Sequence, residues 1–354
     1  MNPKRKAVAV AAAGTALGVA GLGVIAMPAG ADAAPELPPV SAEALVESVF
    51  SAESPALSGT IELDNGLGLP AIPGAPALDM DSARVHNDGE GRSRLAMQDG
   101  GTERTIVHDG ATVWNYDSAS NTATKTTLPA EAATGHGMTG DGQVTDPTSA
   151  AKDVLQAVRQ SSTVTVDGTA RVADRAAYEL VLTPKPTERT LLREVRVAVD
   201  SETRLPLRLA VLTHGTTEPA LQVGFSDVEF GPQPAGLFRF TPPPGATVEE
   251  RQADQGREHA PKTEAEPQFD AVGEGWDTVL VGEVPAELLT QQAPGSDDVN
   301  VRGLLGQIGK PVTGSFGSGH VISTNVGNAL VTDDGRVAFG AVPEQVLIQT
   351  LGDR

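Results

Sequence analysis

The chain has 354 residues, enough for one large or two smaller domains, with 46 acidic against 26 basic residues and a formal net charge of −20. An excess of this sign repels phosphate backbones and anionic headgroups, which argues against nucleic-acid binding, and aromatic residues at 3% are too few for a base-stacking platform. With no cysteine the fold has neither disulfides nor thiolate metal sites, so it must hold by packing, with Ala, Val and Leu supplying the core.

The first 34 residues read as a secretory signal. Lys4, Arg5 and Lys6 form a basic start, Ala7 to Met27 an apolar stretch, and Ala29 to Ala34 offer small-x-small cleavage positions. The competing reading is an uncleaved anchor, because the apolar stretch has roughly the 20 residues that a bilayer requires. Either way the chain is expected to be exported, secreted or associated with the cell envelope. Without a cysteine at the flank it cannot carry a lipobox anchor.

After an extended Pro35 to Pro39, Ser41 is placed to cap a helix whose Ala42, Leu45, Val46, Val49 and Phe50 share one face. The period changes to two from Leu57, where Gly59, Ile61 and Leu63 alternate with polar residues as in a half-buried strand. The loop Gly66 to Gly74 carries four aliphatic residues among Gly and Pro, and could act as a rim or lid or simply pack over a sheet edge.

Strand-length segments follow at 83–86, 94–98, 103–108, 111–116 and 123–128, punctuated by Asn87-Asp88-Gly89, Asp99-Gly100-Gly101, Asp109-Gly110 and Asp117 to Asn121, a pattern that predicts an antiparallel meander. Residues 130–147 read as a polar loop. Thr148 or Ser149 then caps a second helix with the stripe Ala151, Val154, Leu155 and Val158. Strands are expected at 162–166, 176–183, 192–200, 206–213 and 221–230, each with one apolar face.

Next comes Gly236-Leu237-Phe238-Arg239-Phe240-Thr241-Pro242-Pro243-Pro244-Gly245-Ala246-Thr247-Val248, read as a short strand with Phe238 and Phe240 on one face and ended by prolines. This run resembles the closing segment of the LolA-like lipoprotein carriers, including their actinobacterial family, and of the related MucB/RseB envelope regulators. The hairpin Asp109 to Asp117 resembles theirs as well, and so does the order of helix, about six strands, helix and about five strands over 39–248.

The resemblance implies a mainly β fold with some helix: a half-open antiparallel β-barrel over 39–248, covered by helices. Residues 249–268 read as a charged linker, and 269–354 as a small α+β C-terminal module with strands at 276–281, 319–324, 329–332 and 336–340 and helices at 286–292, 301–308 and 343–351.

A half-barrel leaves an apolar concavity between sheet and helices. The resemblance makes this a cavity for acyl chains, with Leu95, Met97, Trp114, Tyr116, Val195, Val197, Leu207, Leu209, Val223 and Phe225 as lining; taken singly, each also reads as ordinary core. The implied function is a non-enzymatic carrier binding a lipid or an acylated lipoprotein, without cofactor or metal. The alternative is a MucB/RseB-like regulator that holds a membrane anti-sigma factor or sensor.

Signs of catalysis are thin. Ser318 and His320 lie two apart without a G-x-S-x-G frame, and the six histidines show no H-E-x-x-H pattern. Asp79 and Asp81, or Asp297 and Asp298, lack the Gly and distal Glu of an EF-hand loop. Arg84, Arg92, Arg94 and Arg104 are expected either to pair with nearby carboxylates or to meet an anionic headgroup at the cavity mouth.

Overall fold

A computed structural model describes residues 35–68, 82–99, 101–128, 146–252, 269–285, 289–290 and 300–353. The signal-like segment and most of the 66–74 loop lie outside these residues, as do the two aspartate pairs. The elements described belong to the compact unit Leu37–Arg354.

Helix α1 (Ala42–Ser51) precedes β1 (Leu57–Asn65), β2 (Ser82–Asn87), β3 (Ser93–Asp99), β4 (Thr102–His108), β5 (Thr112–Asp117) and β6 (Thr122–Thr127). Helix α2 (Pro147–Val158) and a 3-10 turn (Arg159–Ser161) lead into β7 (Ser162–Val172), β8 (Arg175–Pro184), β9 (Leu192–Asp200), β10 (Pro206–Thr213) and β11 (Leu221–Phe230). With β12 (Thr247–Gln252) these form one open sheet, ordered β12-β6-β5-β4-β3-β2-β1-β11-β10-β9-β8-β7, which does not close into a barrel. Neighbours run antiparallel except β12, which lies parallel to β6.

Register decides which side chains share a face. Ile61 pairs with Phe225 and Ala83, Ala83 with Met97, Val223 with Leu209, and Leu209 with Val197, so these residues form one apolar inner face. Leu45 and Val49 of α1 and Ala151 and Leu155 of α2 are fully buried in the same core. The opposite face of β8–β10 is charged, with Arg208 bonded to Glu179 at 2.7 Å and Arg196 to Glu194 at 2.8 Å.

The residues after β11 cross the outer face of the first half-sheet. Instead of the expected strand, Ala235–Phe238 is a 3-10 turn, and the strand comes after the triple proline as β12. The alternation Phe-x-Phe fits a strand, yet these two rings serve as anchors of a strap. Phe238 is buried beneath Arg92, whose guanidinium carbon lies 5.5 Å from the ring centroid. Phe240 packs between Trp114 (5.4 Å) and Tyr116 (5.8 Å). Because β12 runs from Thr247 to Gln252, it crosses the expected boundary at 248/249.

A second sheet, ordered β13-β14-β18-β17-β16-β15, comprises β13 (Phe269–Val272), β14 (Val279–Glu283), β15 (Lys310–Gly314), β16 (Gly317–Ser323), β17 (Asn328–Thr332) and β18 (Arg336–Gly340). Helix α3 (Val301–Ile308) precedes β15. Helix α4 (Glu344–Gly352) closes the chain and builds a separate core from Val346, Leu347 and Leu351 against Val279, Leu330 and Ala338. Among the described residues no helix is long and apolar enough to cross a membrane.

Candidate ligand groove

Helix α1 starts where the Ser41 hydroxyl accepts the Ala44 N–H at 3.2 Å, which fixes the direction of its outer stripe. Leu45, Val46 and Val49 point inward, whereas Phe50, expected on the apolar face, is 38% exposed. With Glu43, Val46 and Glu47 it forms a stripe at i, i+3, i+4, i+7 along the flank of the helix. Helix α2 is capped by Asp146, not Thr148 or Ser149: its carboxylate accepts the N–H groups of Thr148 (2.9 Å) and Ser149 (3.1 Å), and Pro147 takes the first turn, where no N–H is needed. Thr148 also donates to the Pro206 carbonyl at 3.0 Å, pinning α2 to β10.

Between α1, the end of α2 with its 3-10 turn, and the start of β7 lies an open groove of about 890 Å³. Val46, Phe50 and Val164 are its apolar surfaces; Glu43 and Glu47 lie on one side, Gln156, Arg159 and Gln160 on the other. The Arg159 guanidinium stands over the Phe50 ring, 5.7 Å from its centroid, and so bridges the two helices across the mouth. At the floor the buried Ser162 hydroxyl donates to the Val158 carbonyl at 2.6 Å. A volume of this size falls in the range of small-ligand sites, roughly 300–1,000 Å³.

None of the ten residues expected to line an acyl cavity borders this groove. Leu95, Met97, Val195, Val197, Leu207, Leu209, Val223 and Phe225 come together on the inner face, packed in one core with the helices. Trp114 and Tyr116 do not join them. Val107 pairs with Trp114 while Ile106, which pairs with Leu95, faces Asn115, so both aromatics point to the outer face and hold the strap. The Phe50-Glu47-Glu43 stripe is the sequence signal for the groove, and it is masked because Phe50 also falls in the apolar-face pattern of α1.

The arginines are engaged at the strap and in turns. Arg92 pairs with Asp88, Arg94 donates to the Leu237 carbonyl at 3.5 Å, and Arg104 meets Asp117 at 3.3 Å, while Arg84 is exposed. Burial pushes the Asp88 carboxyl up, but the N–H groups of Glu90 and Arg92 and the Arg92 guanidinium outweigh it and hold it below the ordinary aspartate value. Ser318 and His320 share a face of β16, and the Gly309 backbone packs against His320. Among the described residues no group of three or more His, Asp or Glu side chains could hold a metal ion.

Residues 78–253 match the family model described as the MucB/RseB N-terminal domain. None of the curated proteins matches the chain in sequence. Solved structures that resemble it include the MucA/MucB complex of Pseudomonas aeruginosa, at 16% identity and TM-score 0.42, covering 87% of this chain and 94% of that one. An uncharacterized conserved protein from Thermus thermophilus matches at 16% identity and TM-score 0.34, over 59% of this chain and 99% of that one. The LolA superfamily protein NE2245 from Nitrosomonas europaea matches at 12% identity and TM-score 0.25, over 57% and 99%. Residues 78–253 are thus similar to the MucB/RseB N-terminal domain family, in keeping with the resemblance that the sequence motifs carry.

Proposed function

We propose that the chain is an exported, non-enzymatic binding protein that takes up an acyl chain of a lipid or an acylated lipoprotein through the groove between α1 and α2. The observation that carries this reading is the groove itself: an open cleft of about 890 Å³ with a half-exposed Phe50 at its mouth, placed where the two helices cover a continuous apolar sheet face. Each methylene brought from water into such a cleft contributes about 0.8 kcal/mol. Parting the helices would extend the cleft toward the inner face, where Val195, Val197, Leu207 and Leu209 are buried. Native mass spectrometry of the purified chain tests this: co-purifying lipid, or saturable binding of a C12 lysophospholipid, is expected. Lipid-free protein that ignores the lysophospholipid overturns the reading.

The family match favours a second reading, in which the same domain holds a membrane anti-sigma factor or sensor, as the MucB/RseB resemblance implies. The solved MucB structure contains MucA(peri). Affinity capture from membrane extract with the full chain separates the two. A stoichiometric membrane-protein partner, retained on a chain that carries no lipid, supports regulation over transport.

A further inference from the structure

The β14 side of the second sheet reaches into the core of the first. Trp276, in the 3-10 turn Gly275–Asp277, is 4% exposed and packs in the main core, not in the core of its own sheet. Its indole N–H donates at 2.8 Å to the hydroxyl of Ser162, the buried residue on the floor of the groove. The entry is narrow: Gly275 has φ +77°, and a Cβ there would collide with the Ser161 side chain.

A second connection runs beside the first. The loop joining β8 to β9 is fastened to the groove rim by Lys185, whose N–H donates to the Ser161 carbonyl (3.0 Å) and whose ammonium donates to the Gln160 carbonyl (2.6 Å). The same loop grips the second sheet: Glu188 accepts the Trp276 N–H at 3.1 Å, Arg189 lies 3.6 Å from Asp277, and the Leu191 N–H donates to the Ala341 carbonyl at 2.9 Å. Any displacement of the 3-10 turn 159–161 therefore moves the acceptor of the indole and both anchors of this loop.

We propose that the C-terminal module senses occupancy of the groove through Trp276. A chain that enters between Phe50 and Val164 pushes the 159–162 segment outward, the Ser162 hydroxyl leaves the indole, and the module's hold on the first sheet loosens. This rests on the groove being where an apolar chain enters, so the test supplies the occupant covalently.

The chain has no native cysteine and two tryptophans, so Trp114→Phe leaves Trp276 as the sole emitter. In that background Gln156→Cys, exposed on the groove wall, is labelled with decyl methanethiosulfonate; Ser120→Cys, exposed in the β5–β6 turn, is the control. The expected result for the labelled groove variant is Trp276 emission moved to longer wavelength, with amide exchange over residues 269–285 several-fold faster. The labelled control should match the unlabelled protein in both respects. Unchanged emission and exchange in fully labelled Gln156→Cys overturns the coupling, and so does an equal change in the control. Because the decyl chain is tethered, a negative result here is separate from failure of free lysophospholipid to bind, which would overturn only the acyl-binding reading.

Discussion

Asp200 offers the sharpest test of how the second half of the sheet is held. Its carboxylate is fully buried at the end of β9 and receives Arg175 Nε at 2.5 Å and Nη2 at 3.1 Å. It also accepts the N–H groups of Thr203 (2.7 Å) and Glu202 (3.0 Å) and the Thr203 hydroxyl (2.9 Å), closing the turn to β10. Asp200→Asn keeps the shape but turns an amide group toward Arg175, which is itself partly buried and stacked at 4.7 Å on Phe230. Breaking a buried pair from one side costs about 3–5 kcal/mol, and the lower end applies because the guanidinium still reaches Glu202 at 2.8 Å.

Burial raises the Asp200 carboxyl, yet Arg175 and Thr203 more than compensate, so its folded pKa lies below 3.8. A depressed folded pKa gives stability that is present above the unfolded value and lost as pH falls through the folded one. Urea unfolding followed by tryptophan emission should thus show Asp200→Asn about 3 kcal/mol less stable at pH 7. The gap should narrow steadily below about pH 4. A deficit under 1 kcal/mol, or one constant from pH 7 to pH 3, would refute the assignment.

Phe50→Ser should weaken lysophospholipid binding about fivefold, equivalent to about 1 kcal/mol, and lower the melting temperature by only a few degrees, because the ring is 38% exposed and its Arg159 contact is worth about 0.5–1 kcal/mol; calorimetric titration reads the first and thermal unfolding the second. Gly59→Ala would place a Cβ 2.6 Å from the Asp227 carbonyl and 2.9 Å from the Phe225 ring, in the middle of the β1–β11 ladder. A loss of about 1–3 kcal/mol in urea is expected, and wild-type stability would show that the ladder is looser than described. Asp146→Ala removes the acceptor of two helix-start N–H groups and should cost about 1 kcal/mol, with faster amide exchange confined to the first turn of α2.

Much of the fold was legible because its signals are local. Alternating residues and tight-turn chemistry give β9, β10 and β11 their observed limits, and Val301–Ile308 is helical as its spacing requires. What could not be read depends on partners far away in sequence. Phe238 and Phe240 alternate as in a strand but meet Arg92 and Trp114, more than a hundred residues earlier, and packing overrides the local pattern. Trp276 begins an apolar run that reads as a strand, yet its ring is claimed by Ser162 and the main core, so the run bends into a 3-10 turn and β14 starts only at Val279.

The same reasoning bears on where a ligand can go. An aromatic pair such as Trp114 and Tyr116 looks like cavity lining when only its hydrophobicity is considered, but parity puts it on the outer face, where Phe240 already occupies it. The inner face of the sheet is occupied in turn by Leu45, Val49, Ala151 and Leu155. An apolar chain therefore cannot settle on the inner face without displacing helix side chains. Beside Phe50, by contrast, the groove is already open, and the cation–π pair with Arg159 spans its mouth, worth about 0.5–1 kcal/mol at an exposed site. On the proposed acyl-binding reading, widening the mouth of the groove therefore costs less than uncovering the buried helix faces, where each exposed Leu would cost about 1.5–3 kcal/mol.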